Sequence, residues 1–134
     1  MIKLPRARKD PRTEEAMVDR EFADALEDTR EVNITTVGRK TGAEITLPVW
    51  FVRQDDRLYL LPVAGSGSNW FKNVRKAGSV RVAARKGERA LAATPITDPA
   101  RVAEVVKAFR TKYGDRDVAA YYPHPDVAIE IPAA

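Results

Sequence analysis

Two adjacent cations between glycines, Gly38-Arg39-Lys40-Thr41-Gly42, form the stretch whose residue types most suggest chemistry. Glycine frees the backbone to turn, and a turn's N–H groups together with two positive side chains can face a single anion. A second stretch of this kind is Ala64-Gly65-Ser66-Gly67-Ser68, which opens directly into Asn69-Trp70-Phe71-Lys72-Asn73-Val74. There Ser66 or Ser68 is placed to cap a helix whose first N–H groups could also meet an anion. The remaining candidates are Thr41, Trp70, Asn73 and the tyrosines Tyr113, Tyr121 and Tyr122. Walker loops, dinucleotide fingerprints, nucleophile elbows and paired carboxylates at catalytic spacing are all missing. Cations, hydroxyls and aromatics near turns suit a bound cofactor that brings its own reactivity, the protein supplying orientation and charge.

Composition narrows the partners. The 134 residues suffice for one domain with a hydrophobic core. The hydrophobic share of 44% and charged share of 31% are those of a globular protein. No apolar run approaches the roughly 20 residues of a membrane span, so no integral membrane segment is expected. The basic N-terminus Met1–Lys9 lacks the apolar core of a secretory signal, and the chain has no cysteine, which together point to a cytoplasmic setting. With His124 as the single histidine, no metal centre is expected. The net charge of +4 favours anionic partners. Nucleic acid is disfavoured among them, because the aromatics are not interleaved with cations along the strands.

The elements that must position these residues follow from periodicity. Residues 1–12 read as a flexible basic arm, and 13–134 as a single domain. Thr13 is placed to cap a first helix with Val18, Phe22, Ala25 and Leu26 on one face, a lid or plug for the barrel. Val32–Thr35 and Ile45–Val52 flank the cationic corner as a hairpin, and Leu58–Val63 adds a third strand. Pro48 and Pro62 mark edge or bulged portions. A short helix Asn69–Lys76 follows, closed by Gly78. Val80–Arg85 and Ala90–Ile96 read as a fourth and fifth strand, apolar in and charged out. Asp98 is set to cap the clearest helix, with Pro99 in its first turn and a stripe of Val102, Val105, Val106, Phe109 and Tyr113 up to Gly114. Asp117–Tyr122 predicts a further helical turn, and Val127–Ile131 a last strand. About six antiparallel strands with flanking helices make an α+β chain whose simplest closure is a small barrel.

These residues resemble the deazaflavin (F420)-dependent nitroreductase-like or quinone-reductase-like family of the split β-barrel flavin-binding superfamily, which includes the pyridoxamine-phosphate-oxidase-like proteins. The resemblance rests on Thr35–Gly42, Leu47-Pro48-Val49-Trp50, Arg57-Leu58-Tyr59, Asn69-Trp70-Phe71-Lys72-Asn73 with Val80 and Val82, and Thr97-Asp98-Pro99. It implies a split β-barrel binding F420 in a groove, with the phosphate-bearing tail near the corner. Arg39, Lys40 and Thr41 match the tail-binding motif, Pro48 the ring-side proline, and Trp70 with Asn73 the Trp-x-x-Asn element. Trp50 and Ser66 are counted with them on the cofactor side. Tyr113 matches a catalytic-side tyrosine that would orient or protonate a small electron acceptor such as a quinone, activated alkene or nitroaromatic. FMN is the alternative cofactor, and a non-catalytic carrier the alternative role. A homodimer covering strand edges fits such barrels.

Residue by residue, plainer readings stand beside these. Arg39 and Lys40 also read as a solvated hairpin tip, Trp70 and Phe71 as core, and Tyr113 as a core tyrosine continuing its helix stripe. Tyr121 and Tyr122 precede a proline pair and would pack the terminal strand.

Overall fold

Val32 and Ile34 are buried while Asn33 and Glu31 between and before them are exposed, the two-residue alternation of a strand with one face on a core. In the computed structural model, which describes residues 29–54, 57–84 and 87–132, they belong to β1 (Glu31–Val37). The expected basic arm at residues 1–12 and the helix starting at Thr13 lie outside the described residues.

β1 pairs antiparallel with β2 (Glu44–Gln54), from Val37 opposite Glu44 to Glu31 opposite Trp50. From Phe51 onward β2 pairs with β3 (Arg57–Leu60) instead. β4 (Ser79–Ala84) lies on the other side of β1 and carries β5 (Gly87–Ala92). β6 (Thr94–Ile96) and β7 (Ala128–Pro132) complete a seven-stranded sheet in the order β5-β4-β1-β2-β3-β7-β6. Among the described residues the count is seven rather than about six because the run Ala90–Ile96 divides at Ala93. β5 and β6 are consecutive in the chain yet occupy opposite edges of the sheet. Ala93 alone separates them, and its N–H donates to the Gly78 carbonyl at 3.0 Å. The sheet therefore curls, and the fold is an α+β split β-barrel.

Two apolar layers use its two faces. Inside the curl, Ile34, Phe51, Leu58, Leu60, Val82, Ile129 and Ile131 pack with Phe71 and Val74 of α1 (Asn69–Ala77). On the other side, the expected stripe Val102, Val105, Val106, Phe109 and Tyr113 of α2 (Pro99–Tyr113) is buried in full against Val52, Leu61, Ile96 and Ala128. α3 (Asp115–Tyr121) adds Val118, and Tyr122 follows it into the same layer. Asp98 does precede α2, but its side chain makes no capping hydrogen bond. Neither does Ser68 cap α1; its hydroxyl accepts the Ala64 N–H at 3.1 Å instead.

The two layers meet where β2 changes partner. By register Phe51 would face Arg30, and the Tyr113 hydroxyl takes the hydrogen bonds that such a pair would exchange. It accepts the Phe51 N–H at 3.0 Å, and its single proton has two acceptors in reach, the carbonyls of Arg30 and Phe51, each 2.7 Å away. Lys112 adds a donor to the Phe51 carbonyl at 2.8 Å. The phenol thus stands in the fork between β1 and β2.

Tyr113→Phe removes this hydroxyl and leaves buried backbone groups underpaired. A loss of about 1–3 kcal/mol is expected, seen as a lower denaturation midpoint with unchanged slope. Burial also pushes the Tyr113 and Tyr122 phenols up from the ordinary 10.0. The folded chain then holds protons that the unfolded chain releases, so this contribution is full below pH 10 and declines as pH rises further. A phenolate absorbance titration should show folded tyrosines ionising above their denatured counterparts.

Candidate functional site

The corner closes on itself first. Gly38 donates to the Ala43 carbonyl and Gly42 to the Gly38 carbonyl, both at 2.8 Å, with Gly42 at a φ of 75° that suits glycine. Thr41 is exposed and turns its hydroxyl inward to the Ala43 N–H at 3.2 Å. Asn73 of α1 then grips the tip from outside: its Oδ1 accepts both the Arg39 backbone N–H at 3.1 Å and the guanidinium Nη1 at 2.9 Å. Lys76 donates to the Arg39 carbonyl at 3.2 Å. Lys40 is exposed and, among the described residues, unpaired. Glu44, beside the tip, is bound by Arg81 at 2.8 Å, and that hydrogen bond and charge hold its carboxyl below the usual range. The nearest acidic side chain is thereby neutralised from β4.

The glycine-serine loop is occupied by the chain's own carboxylate. Ser66 donates its N–H to Asp126 Oδ1 at 2.8 Å and its hydroxyl to Oδ2 at 2.6 Å. The Ser66 hydroxyl, then its N–H, keeps the Asp126 carboxyl below its ordinary value. Gly65 makes this clasp sterically feasible: at a φ of 59°, a Cβ there would collide with the Asp126 carboxylate and the His124 carbonyl.

Pro48, Trp50 and Trp70 come together in one cleft of about 270 Å³, with Glu31, Leu47, Val63, Tyr121 and Tyr122 also lining it. Trp50 stacks on Tyr113 at 4.2 Å and 10° between planes, and meets Tyr121 edge-on at 5.0 Å and 68°. Trp70 and Asn73 are one turn apart on α1, so a single helix face runs from the cleft wall to the corner. Thr36, at the corner end of β1, is buried with its hydroxyl unpartnered among the described residues.

Of the residues singled out from sequence, the structure gathers Pro48, Trp50 and Trp70 in the cleft, and Arg39, Lys40, Thr41 and Asn73 at the corner. The hydroxyls of Ser66 and Tyr113 are engaged elsewhere. Tyr121 and Tyr122, counted among the candidate aromatics from sequence and also read as packing the terminal strand, line the cleft. Glu31 in the cleft and Asp126 at the glycine-serine loop were not singled out from sequence. Glu31 becomes visible only once its register opposite Trp50 is known, and nothing local marks Asp126.

A family model described as "Uncharacterized protein conserved in bacteria (DUF2255)" matches residues 23–128. The chain belongs to this family. No curated protein matches this DUF2255 chain. Among solved structures it is similar to the F420-H2 dependent reductase FDR-A, with TM-score 0.57 and 17% identity, covering 76% of this chain and 93% of that one. A putative pyridoxamine 5'-phosphate oxidase from Listeria innocua matches at TM-score 0.63 and 15% identity, covering 87% and 94%. HutZ, the heme storage protein from Vibrio cholerae, matches at TM-score 0.65 and 11% identity, covering 86% and 89%. At such identities the likeness is one of fold. No helix among the described residues is long and apolar enough to cross a membrane.

The clasp yields a paired test. Gly65→Ala should destabilise by at least about 1 kcal/mol, because it adds both a left-handed penalty and a collision. Gly67→Ala, which meets nothing within 4 Å, should stay within about 0.5 kcal/mol. Since the Asp126 carboxyl is lowered on folding, its small contribution is present above the ordinary 3.8 and disappears as pH falls below it. Asp126→Asn should flatten that acid limb in urea titrations of stability.

Proposed function

We propose that this protein binds a flavin-type cofactor, F420 in the leading reading, and passes a hydride from its reduced form to a small electrophile. The observation that carries the reading is the shared face of α1, where Trp70 lines the cleft while Asn73 holds Arg39 at the corner. From Pro48 back to its start at Glu44 beside the corner, β2 rises about 13 Å at the rise of a strand. A tricyclic ring with a five-carbon chain and a phosphate extends over a comparable distance, and Thr36 leaves an unused buried hydroxyl beside that path. The residues present therefore fit such a group.

In this reading Arg39 and Lys40 meet the phosphate, with Thr41 turning the tip that presents them. Pro48, Trp50 and Trp70 form an apolar wall for the ring and exclude water from it. When bound, the cofactor supplies the hydride. Tyr113 acts through Trp50, whose face it backs, since proton donation to an acceptor would require its hydroxyl to leave Phe51 and Arg30. FMN is the second reading. It is favoured by the Ser66–Asp126 clasp, which withdraws one hydroxyl from anion binding and leaves fewer contacts for a long anionic tail.

Titration of the purified protein with F420 and with FMN, followed by cofactor fluorescence, separates the readings. F420 should bind more tightly, and Arg39→Ala with Lys40→Ala should weaken it about tenfold or more, as expected for losing a charge-assisted contact. Tighter FMN binding moves the assignment to FMN. Binding of neither removes the cofactor reading, and binding without turnover of any quinone or nitroaromatic leaves a carrier.

A further inference from the structure

We propose that the aromatic cleft binds a planar organic cation, with Glu31 as the residue that selects for positive charge. The walls include steeply inclined rings: Trp50 meets Tyr121 at 68° and Tyr122 at 62°, and Trp70 lines the same space. Aromatic faces carry negative potential, and rings set at an angle let a cation touch more than one of them. The protein already uses this preference nearby, where the Arg30 guanidinium lies 5.1 Å from the Trp50 ring and 5.2 Å from that of Tyr113.

Charge points the same way. The chain carries a net +4, yet no lysine or arginine is among the described residues lining the cleft. Its charged lining residue is Glu31, exposed and directly across the ladder from Trp50. Among the described residues the Glu31 side chain has no ion pair or hydrogen bond. The neighbouring Arg30 does not line the cleft, and its guanidinium pairs with Asp117 at 3.9 Å. A carboxylate without a partner above aromatic walls favours a cation and disfavours an anion of the same shape. The volume of about 270 Å³ suits a ligand of one or two fused rings, such as an N-alkylated pyridinium or quinolinium. This is the cleft that the proposed function gives to the cofactor ring, so the cation and the ring are alternative occupants, and as a binding site the inference stands on the cleft alone.

The chain has two tryptophans, Trp50 and Trp70, and both line the cleft, so intrinsic fluorescence reports its occupancy. The full chain, without added flavin or F420, is titrated with N-methylquinolinium, the neutral 1-methylnaphthalene and the anionic 1-naphthoate. Calorimetry provides the affinities, and N-acetyltryptophanamide corrects for collisional quenching. The cation should bind about tenfold more tightly than the neutral probe, with the anion weakest, and high salt should narrow the difference. Glu31→Gln should bring cation and neutral probe within about twofold, while Glu31→Asp retains the order. Equal binding of the cation and neutral probe by the native chain, a preference unchanged in Glu31→Gln, or no binding of the cation overturns the proposal. Since no cofactor is present, these outcomes are independent of the F420 and FMN titrations.

Discussion

One phenol in the fork of β1 and β2 is the contact on which the architecture depends. A strand that leaves one neighbour for another exposes N–H and C=O groups at the point of departure, and burying them unpaired is costly. The Tyr113 hydroxyl supplies both donor and acceptor there, so β2 can turn from β1 toward β3 inside the protein. Because the same ring stacks on Trp50, the fork and the cleft wall share one support. Whatever fixes the divergence of the strands also fixes the indole that faces the cleft.

α1 links the other two parts of the site. Its buried side, Phe71 and Val74, is set by the core, and this leaves no freedom in where Trp70 and Asn73 point. Asn73 spends one carbonyl oxygen on both the backbone and the guanidinium of Arg39, which turns a long mobile cation into an oriented one. The cationic tip is thus positioned by the core, through a helix, as well as by the turn that its own glycines close.

Legibility in the sequence followed the range of the interactions. The stripe from Val102 to Tyr113 and the alternation of β1 and β4 are local periodicities, and they correspond to buried faces in the structure. Pro48, Trp50 and Trp70 could be grouped because motif resemblance supplied what spacing does not. The division of Ala90–Ile96 was invisible, since it arises from which distant strands each half joins. The same holds for Asp126, whose place at Ser66 depends on a loop 60 positions away in sequence. The expected serine cap failed for a related reason: Ser68 found a backbone donor preceding it in the loop, and that competed with the helix end.

The position of β7 carries a consequence for how the molecule is made. It is the last strand in chain order, yet it lies between β3 and β6. During vectorial synthesis both of those strands emerge before the one that joins them, and each presents an open hydrogen-bonding edge in the interval. A nascent chain of this design is therefore exposed to wrong pairing until Ala128–Pro132 has emerged, and β7 acts as the keystone that ends that exposure.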